Sequence, residues 1–381
     1  MAFSIDDAIA ATLKVYKDAS APSLLSSSLS YAGIKYRKTG CYALDWLCAN
    51  HSGTGGLPRG RIIEIFGPEQ SGKTTIATVI AASIQTYKKK NKVLYIDFEH
   101  KFNPVYSSEL GLNPDLTYYT QPSGKNPGEA GLQLMVEAIN ADDCGLIVMD
   151  SVTAVAAAAE LSGELTEAHI GASARIWSKA IKVVANSLRT QSATVLIING
   201  LRDNIGVIYG PSERVPGAKA IRYNATIRID IRAQEKIKED DEVIGQRIQL
   251  KAVKNQSGQP FITVHTDLIF GQGFDNMGFV VDLAEELGVL EKVKADKKAK
   301  TKAGIRIFGE DELISKAQLT EYLADENNLQ ALYDKCIAKN LKNQEKALAE
   351  EPKDSPEEQK ESTEEMESSE ETKESDEDEE Y

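Results

Sequence analysis

Short apolar runs at residues 61–66, 92–97, 116–120, 145–150, 193–199 and 225–231 alternate with stretches whose apolar residues return at helical spacing. The runs read as strands buried on both faces and the stretches between them as amphipathic helices, the longest at 172–188. That alternation predicts an α/β fold with a mostly parallel central sheet covered by helices. Two further strands, at 247–254 and 261–265, are close enough to form a hairpin through Gly258, Gln259 and Pro260. Ahead of the sheet, Ser4 with Asp7 makes a capping-box-like start, and Ile5, Ile9, Leu13 and Tyr16 follow at helical spacing. This helix is separated from the sheet by a Ser/Ala/Pro stretch at 19–30; it either packs on its own domain or docks on a neighbouring subunit. Beyond the sheet, Leu319, Tyr322 and Leu323, then Leu329, Leu332, Tyr333, Cys336 and Ile337, mark a small mixed C-terminal domain. The expected division is 1–38, N-terminal helix and linker; 39–287, the sheet core; 288–345, the small domain; and 346–381, a tail.

Charge changes this picture only at the end of the chain. The 381 residues carry a net charge of −14, but residues 350–381 hold 17 Asp and Glu against 3 Lys, leaving 41 of each sign in residues 1–349. The acidic balance therefore belongs to a tail that buries too little apolar surface to fold, and it does not exclude a polyanionic partner for the body. Six lysines between Lys292 and Lys302 form either a solvated linker or a docking patch for duplex, which the tail would compete for. With no apolar run of membrane length and no basic-then-apolar leader, neither insertion nor secretion is expected. Cys41, Cys48, Cys144 and Cys336 have no paired metal spacing and read as free thiols of a reducing cytoplasm.

The chemistry begins where the first strand breaks. Gly67-Pro68-Glu69-Gln70-Ser71-Gly72-Lys73-Thr74-Thr75 follows that strand and opens a helix predicted over 76–87. Glycines separated by four residues let backbone N–H groups turn toward an anionic phosphate, the helix start adds its positive end, and Lys73 adds a cation. Thr74 would ligate magnesium, and Asp150, at the end of the strand Leu146-Ile147-Val148-Met149, would hold the same ion through water unless it merely caps a helix. A second strand ends in Asp97-Phe98-Glu99-His100, where Glu99 is placed to orient an attacking water as a general base. The second long segment, 201–219, contains glycine and proline inside an otherwise compact domain, and loops of that length are usually functional or disordered.

Taken together, the cradle, Tyr95-Ile96-Asp97-Phe98-Glu99-His100, Asp150-Ser151-Val152, Ile198-Asn199, Ile205-Gly206-Val207 and Val253-Lys254-Asn255 resemble, in order and spacing, the bacterial RecA recombinase family. The resemblance runs from about residue 39 to about residue 290. It implies a RecA-type P-loop ATPase core and a DNA-dependent ATPase that binds ATP and Mg2+. Such a protein forms filaments of itself on single-stranded DNA, pairs that strand with homologous double-stranded DNA and exchanges strands. By position, Glu99, Lys73 and Lys254 would be catalytic, Lys254 acting across a subunit interface unless it is a solvated strand-end lysine. Asn103, Tyr106 and Asn199 would join the cradle as nucleotide contacts, with Tyr106 stacking on the adenine. DNA contacts would come from Ile170, Arg175, Ser178 and Lys182 in and after a first loop at 160–171, and from Arg202, Ile205, Gly206, Tyr209, Arg214 and Gly217 in the second at 201–219.

Several positions depart from the family pattern. Members usually have an acid at the position of Asn103, a glutamine at that of Gly200, where it touches the terminal phosphate, a second interface lysine at that of Gln256, and a glycine pair where Gly217 and Ala218 stand. Gly200 has no side chain with which to sense a phosphate, so coupling between ATP and DNA is expected to run through Asn199 or to be looser. A ring helicase on the same core and a nucleotide-binding mediator with little turnover are the competing readings. The first lacks an additional large domain here, and the second draws on Gly200 and Gln256.

Overall fold

The computed structural model describes residues 14–15, 34–155, 172–203, 213–215, 219–294, 303–307 and 313–350. A short hairpin, β1 (Tyr36–Arg37) with β2 (Leu57–Pro58), brackets helix α1 (Tyr42–Leu47). The cradle region follows as β3 (Ile62–Phe66), α2 (Lys73–Gln85), β4 (Lys92–Asp97), α3 (Pro104–Glu109) and β5 (Thr117–Thr120). Next come α4 (Pro127–Ile139), β6 (Cys144–Asp150), α5 (Ala172–Ser187) and β7 (Thr194–Asn199), then a two-residue ribbon of β8 (Arg202–Asp203) and β9 (Glu213–Arg214). Helix α6 (Lys219–Asn224) leads into β10 (Ile227–Glu239), β11 (Glu242–Asn255), β12 (Thr263–Ile269) and β13 (Gly273–Phe274), and α7 (Asn276–Glu286) closes the core. The chain continues through β14 (Leu290–Val293), β15 (Gly304–Ile307), β16 (Leu313–Ile314), α8 (Lys316–Leu323) and α9 (Glu326–Glu350).

The central sheet has nine strands in the order β13-β12-β11-β10-β3-β7-β6-β4-β5. From β10 to β5 every pairing is parallel, and β11 to β13 add an antiparallel wing. Side chains of the parallel strands alternate between two apolar clusters. Ile63, Ile65, Val93, Tyr95, Leu146, Val148, Leu196 and Ile198 face α1, α2 and α7, whereas Ile62, Leu94, Ile96, Ile147, Met149, Val195 and Ile197 face α4 and α5. Burial on both faces is why these strands read as continuous apolar runs, each buried Ile or Leu contributing about 1.5–3 kcal/mol. Register places Asp97 beside Asp150 and Phe66 beside Asn199, so the strand ends that carry polar residues lie along one edge, where open α/β sheets take ligands.

Two differences from the expected elements have physical reasons. Strands β10 and β11 extend well past 231 and before 247, forming a hairpin turned by Asp240 and Asp241 at φ 46° and 69°. Past Ala233 the ribbon is largely solvent-facing, so it has no apolar alternation to reveal it. At the C-terminus, Leu319, Leu323, Leu332, Tyr333 and Cys336 share one core cluster with α1 and α2. Tyr333 packs against Tyr42 at 4.7 Å and Trp46 at 6.3 Å, and the Tyr42 hydroxyl donates to Gln330 Oε1 at 3.0 Å. Ser315 and Gln318 form the capping box that starts α8. The N-terminal helix, apart from Lys14 and Val15, and the acidic tail past residue 350 lie outside the described residues.

Candidate functional site

Between β3 and α2 the backbone must pass close to β10, and glycine makes that possible. A Cβ at Gly67 would overlap the carbonyl oxygen of Ile231, and Gly72 adopts φ 91° immediately before the helix. Lys73 Nζ donates to Gly67 O at 3.1 Å and to Pro68 O, and Ser71 Oγ donates to Pro68 O at 2.8 Å. Burial lowers the Lys73 ammonium's pKa against the opposing pull of Asp150 and Glu99. The lysine thus rests on two neutral backbone carbonyls of the cradle. Glu69 and Gln70 are exposed on the rim, Gly67 and Ser71 are buried, and Thr74 and Thr75 start the helix facing the same cavity.

Asp150 lies across from the helix start. Its Oδ2 accepts from Thr74 Oγ1 at 2.9 Å and from the buried Tyr95 hydroxyl at 3.0 Å. Burial pushes the carboxyl up to about 6 despite those two donors. A hydroxyl and a carboxylate at this separation suit Mg2+, which takes few protein oxygens and completes its octahedron with phosphates and water. A cation there would further favour the ionised carboxylate. No group of three His, Cys, Asp or Glu among the described residues gathers around a metal position. A hydroxyl and one carboxylate oxygen leave most of a magnesium ion's positions to phosphate and water oxygens.

Glu99 is held at both oxygens. Ser151 Oγ donates to Oε1, and Lys101 Nζ pairs with Oε2 at 2.9 Å. Burial is the largest single influence and raises its pKa, but the hydrogen bonds from Ser151 and Lys101 and the charges of Lys101 and Lys73 together outweigh it and hold the carboxyl below its ordinary value. Asp97, at the end of the same strand, is fully engaged. It accepts from the amides of Glu99 at 3.0 Å, His100 at 2.8 Å and Phe102 at 3.0 Å, and from the Tyr119 hydroxyl at 3.0 Å. Asp97 is therefore the brace that aims Glu99.

These groups border one cavity of about 710 Å³. Lys73, Thr74, Glu99 and Asp150 form its polar end, and Tyr106 and Phe270 line it as well. Gln246 closes another side, its amide donating to Gln70 O at 3.1 Å. The wall also includes Thr153 and the segment Gly200, Leu201 and Arg202, so the second loop leaves directly from the cavity.

The remaining predicted residues separate into groups. Asn103 caps α3 by accepting from Val105 N at 3.0 Å and Tyr106 N at 3.1 Å, which fixes the backbone that carries Tyr106. Asn199 is buried, its amide donates to Glu64 Oε1 at 3.0 Å, and its carbonyl accepts from Gly67 N at 3.4 Å; it anchors the cradle from behind. Lys254 Nζ donates to the carbonyls of Arg222 and Tyr223 at 3.1 and 3.0 Å, which caps α6. Burial, then Arg228, lowers its ammonium's pKa. Arg175, Ser178 and Lys182 line one shallow groove of about 600 Å³ on α5. Arg202 and Arg214 are paired across β8 and β9. Ile170, Ile205, Gly206, Tyr209 and Gly217 lie outside the described residues.

Tyr95 and Ser151 stood in the quoted motifs without a role, and Lys101, Thr153, Gln246 and Phe270 were not singled out in the sequence. Two of these had a signal: Ser151 directly follows the acid, and Phe270 is a half-exposed aromatic at the end of a strand that terminates on the cavity side. Tyr95 reads only as core, since its ring packs on Phe102 at 4.6 Å and its hydroxyl's destination is a strand away.

Comparisons with known proteins converge on one family. A family model described as the RecA N-terminal domain matches residues 4–275. The chain is 39% identical over 254 residues to protein RecA of Lactiplantibacillus pentosus, covering 67% of this chain and 65% of that protein. It is 37% identical over 289 residues to protein RecA of Bifidobacterium breve, covering 76% and 71%. Against protein RecA of Chlorobium limicola the figure is 40% over 254 residues, covering 67% and 70%. The chain thus spans slightly under two thirds of the length of the first of these relatives.

Proposed function

The chain belongs to the RecA family, and on that premise we propose that it is an ATP-dependent recombinase of DNA repair and recombination, working in the cytoplasm. It assembles as a filament on single-stranded DNA, pairs the bound strand with homologous duplex and exchanges strands. The observation that carries this reading is the single cavity in which a phosphate cradle, an aimed carboxylate and the root of a long loop meet. No helix among the described residues is long and apolar enough to cross a membrane.

In this reading the backbone N–H groups between Gly67 and Thr74 hold the β- and γ-phosphates, and Lys73 leaves its two carbonyls to neutralise them. Thr74 and Asp150 hold Mg2+, which when bound supplies charge neutralisation at the phosphates. Tyr106 and Phe270 offer π faces to the base. Glu99, ionised because Ser151 and Lys101 stabilise its charge, orients a water toward the terminal phosphate and accepts its proton. Arg175, Lys182, Arg202 and Arg214 neutralise DNA phosphates, with an apolar residue such as Ile205 between bases and little sequence preference. Lys254 exchanges its carbonyl partners for a neighbouring subunit's terminal phosphate, a contribution of about 10³ to 10⁵ in rate in comparable phosphoryl transfers. Hydrolysis then depends on assembly.

The test is ATP hydrolysis with and without single-stranded DNA, in the wild type and in Glu99→Gln. Stimulation by DNA in the wild type and its loss in Glu99→Gln, with ATP binding retained, are expected. A nucleotide-binding protein with no DNA-stimulated turnover points instead to a mediator.

A further inference from the structure

We propose that Thr153 is a positioning residue that links the root of the second loop to Glu99 through the hydroxyl of Ser151. The inference rests on Glu99 being the carboxylate that orients water.

Proton bookkeeping fixes the direction of the link. An ionised carboxylate only accepts, so Ser151 must spend its one hydroxyl proton on Glu99 Oε1. Ser151 Oγ and Thr153 Oγ1 are also within hydrogen-bond distance, at 2.6 Å. With the serine proton committed, Thr153 is the donor, and the chain runs from Thr153 to Ser151 to Glu99. Each bond polarises the next and strengthens the last, which ends on a charge. Lys101 holds the other carboxylate oxygen, so the carboxyl plane is fixed from two sides.

The upstream end of the relay faces the start of the second loop. Thr153 lies in the single-turn helix Val152–Ala154 after β6 and lines the nucleotide cavity beside Gly200, Leu201 and Arg202. A Cβ built on Gly200 would lie 3.5 Å from Thr153 Cγ2 and 3.7 Å from its Oγ1, ordinary contact with no overlap. Thr153 is therefore the side chain that meets the loop root at the point where position 200 offers none. Displacement of residues 200–202, by DNA on the loop or phosphate in the cradle, shifts Thr153 first and the aim of Glu99 through it. The lone pairs of Thr153 Oγ1 also supply an acceptor toward the cavity, a polar function absent from Gly200 itself.

The experiment compares Thr153→Val, which keeps the shape and removes the hydroxyl, with Thr153→Ser, which keeps the hydroxyl. For Thr153→Val we expect the DNA-stimulated kcat to fall about tenfold with KM for ATP within about twofold, the signature of an interaction that matters in the transition state. A second readout does not involve turnover. The ratio of single-stranded DNA affinities measured with a non-hydrolysable ATP analogue and with ADP should narrow about fivefold, because the loop no longer reports through the hydroxyl chain. Thr153→Ser should restore both to within about twofold of wild type. Wild-type values for Thr153→Val in both assays overturn the proposal, as does a Thr153→Ser variant as defective as Thr153→Val, which would mean packing alone. Glu99→Gln measured in parallel separates the two levels: wild-type hydrolysis there removes the carboxylate's role and the relay with it, whereas an inactive Glu99→Gln beside a wild-type Thr153→Val removes only the relay.

Discussion

Arg228→Met is expected to be among the most damaging single substitutions away from the nucleotide. Arg228 on β10 lies opposite Glu64 on β3 in parallel register, and its Nε pairs with Glu64 Oε2 with the two side chains only 12% and 2% exposed. Glu64 Oε1 accepts from Asn199, and the guanidinium stacks 4.9 Å from the centre of the Phe66 ring. Methionine preserves volume but leaves the carboxylate buried with one amide donor. The cost of such an orphaned charge is about 3–5 kcal/mol, against roughly 1 kcal/mol for the lost contact with Phe66, so the orphaned charge decides the outcome. With a urea dependence of about 1–3 kcal/mol per molar, the unfolding midpoint should fall by at least about 1 M. The fluorescence of Trp177, buried in the α5 face of the core, follows the transition. The double variant Glu64→Gln with Arg228→Met removes the orphaned charge and should recover at least half of the loss. A single variant within about 1 kcal/mol of wild type, or a double variant no better than the single, would refute the electrostatic reasoning.

Tyr95→Phe deletes one of the two donors to Asp150 and should lower stability by about 1.5–3 kcal/mol in the same urea assay; an unchanged midpoint would mean that the hydroxyl holds nothing. Gly67→Ala forces a methyl group into the Ile231 carbonyl and should abolish binding of a fluorescent ATP analogue or prevent folding, whereas wild-type affinity would show that the loop can retreat from β10. Burial pushes the thiols of Cys41 and Cys336 up to about 12 and that of Cys144 up to about 11, with Cys48 also raised, so an aromatic disulfide reagent at pH 8 should modify none of the four until the protein unfolds. Rapid labelling of any one in native buffer would contradict the packing.

The inner parallel strands β3, β4, β6 and β7 were legible because burial on both faces writes them as apolar runs, and 92–97 matches β4 residue for residue. The β10–β11 ribbon was not, since Lys236, Lys238 and Glu239 satisfy solvent on both sides and carry no period. Apolar positions of α8 and α9 stood out by spacing, yet their partner did not: Tyr42 and Gln330 meet across 288 residues of chain. In the site, glycine spacing marked the cradle because backbone geometry demands it. The hydroxyl of Thr153 and the amide of Gln246 belong to ordinary residue types that acquire meaning only when β6, β7 and β11 are brought to one edge. Asp97 stands in the same motif as Glu99, yet it folds as a brace.

The central claim is that this cavity drives homologous exchange, and an exchange assay tests it most directly. Circular single-stranded DNA is mixed with linear duplex, homologous or unrelated, in the presence of ATP and Mg2+. The account predicts joint molecules and displaced strand with homologous duplex only, dependent on ATP and on an intact Lys73. Products formed equally with unrelated duplex, or no products from protein that binds ATP and single-stranded DNA, would contradict it.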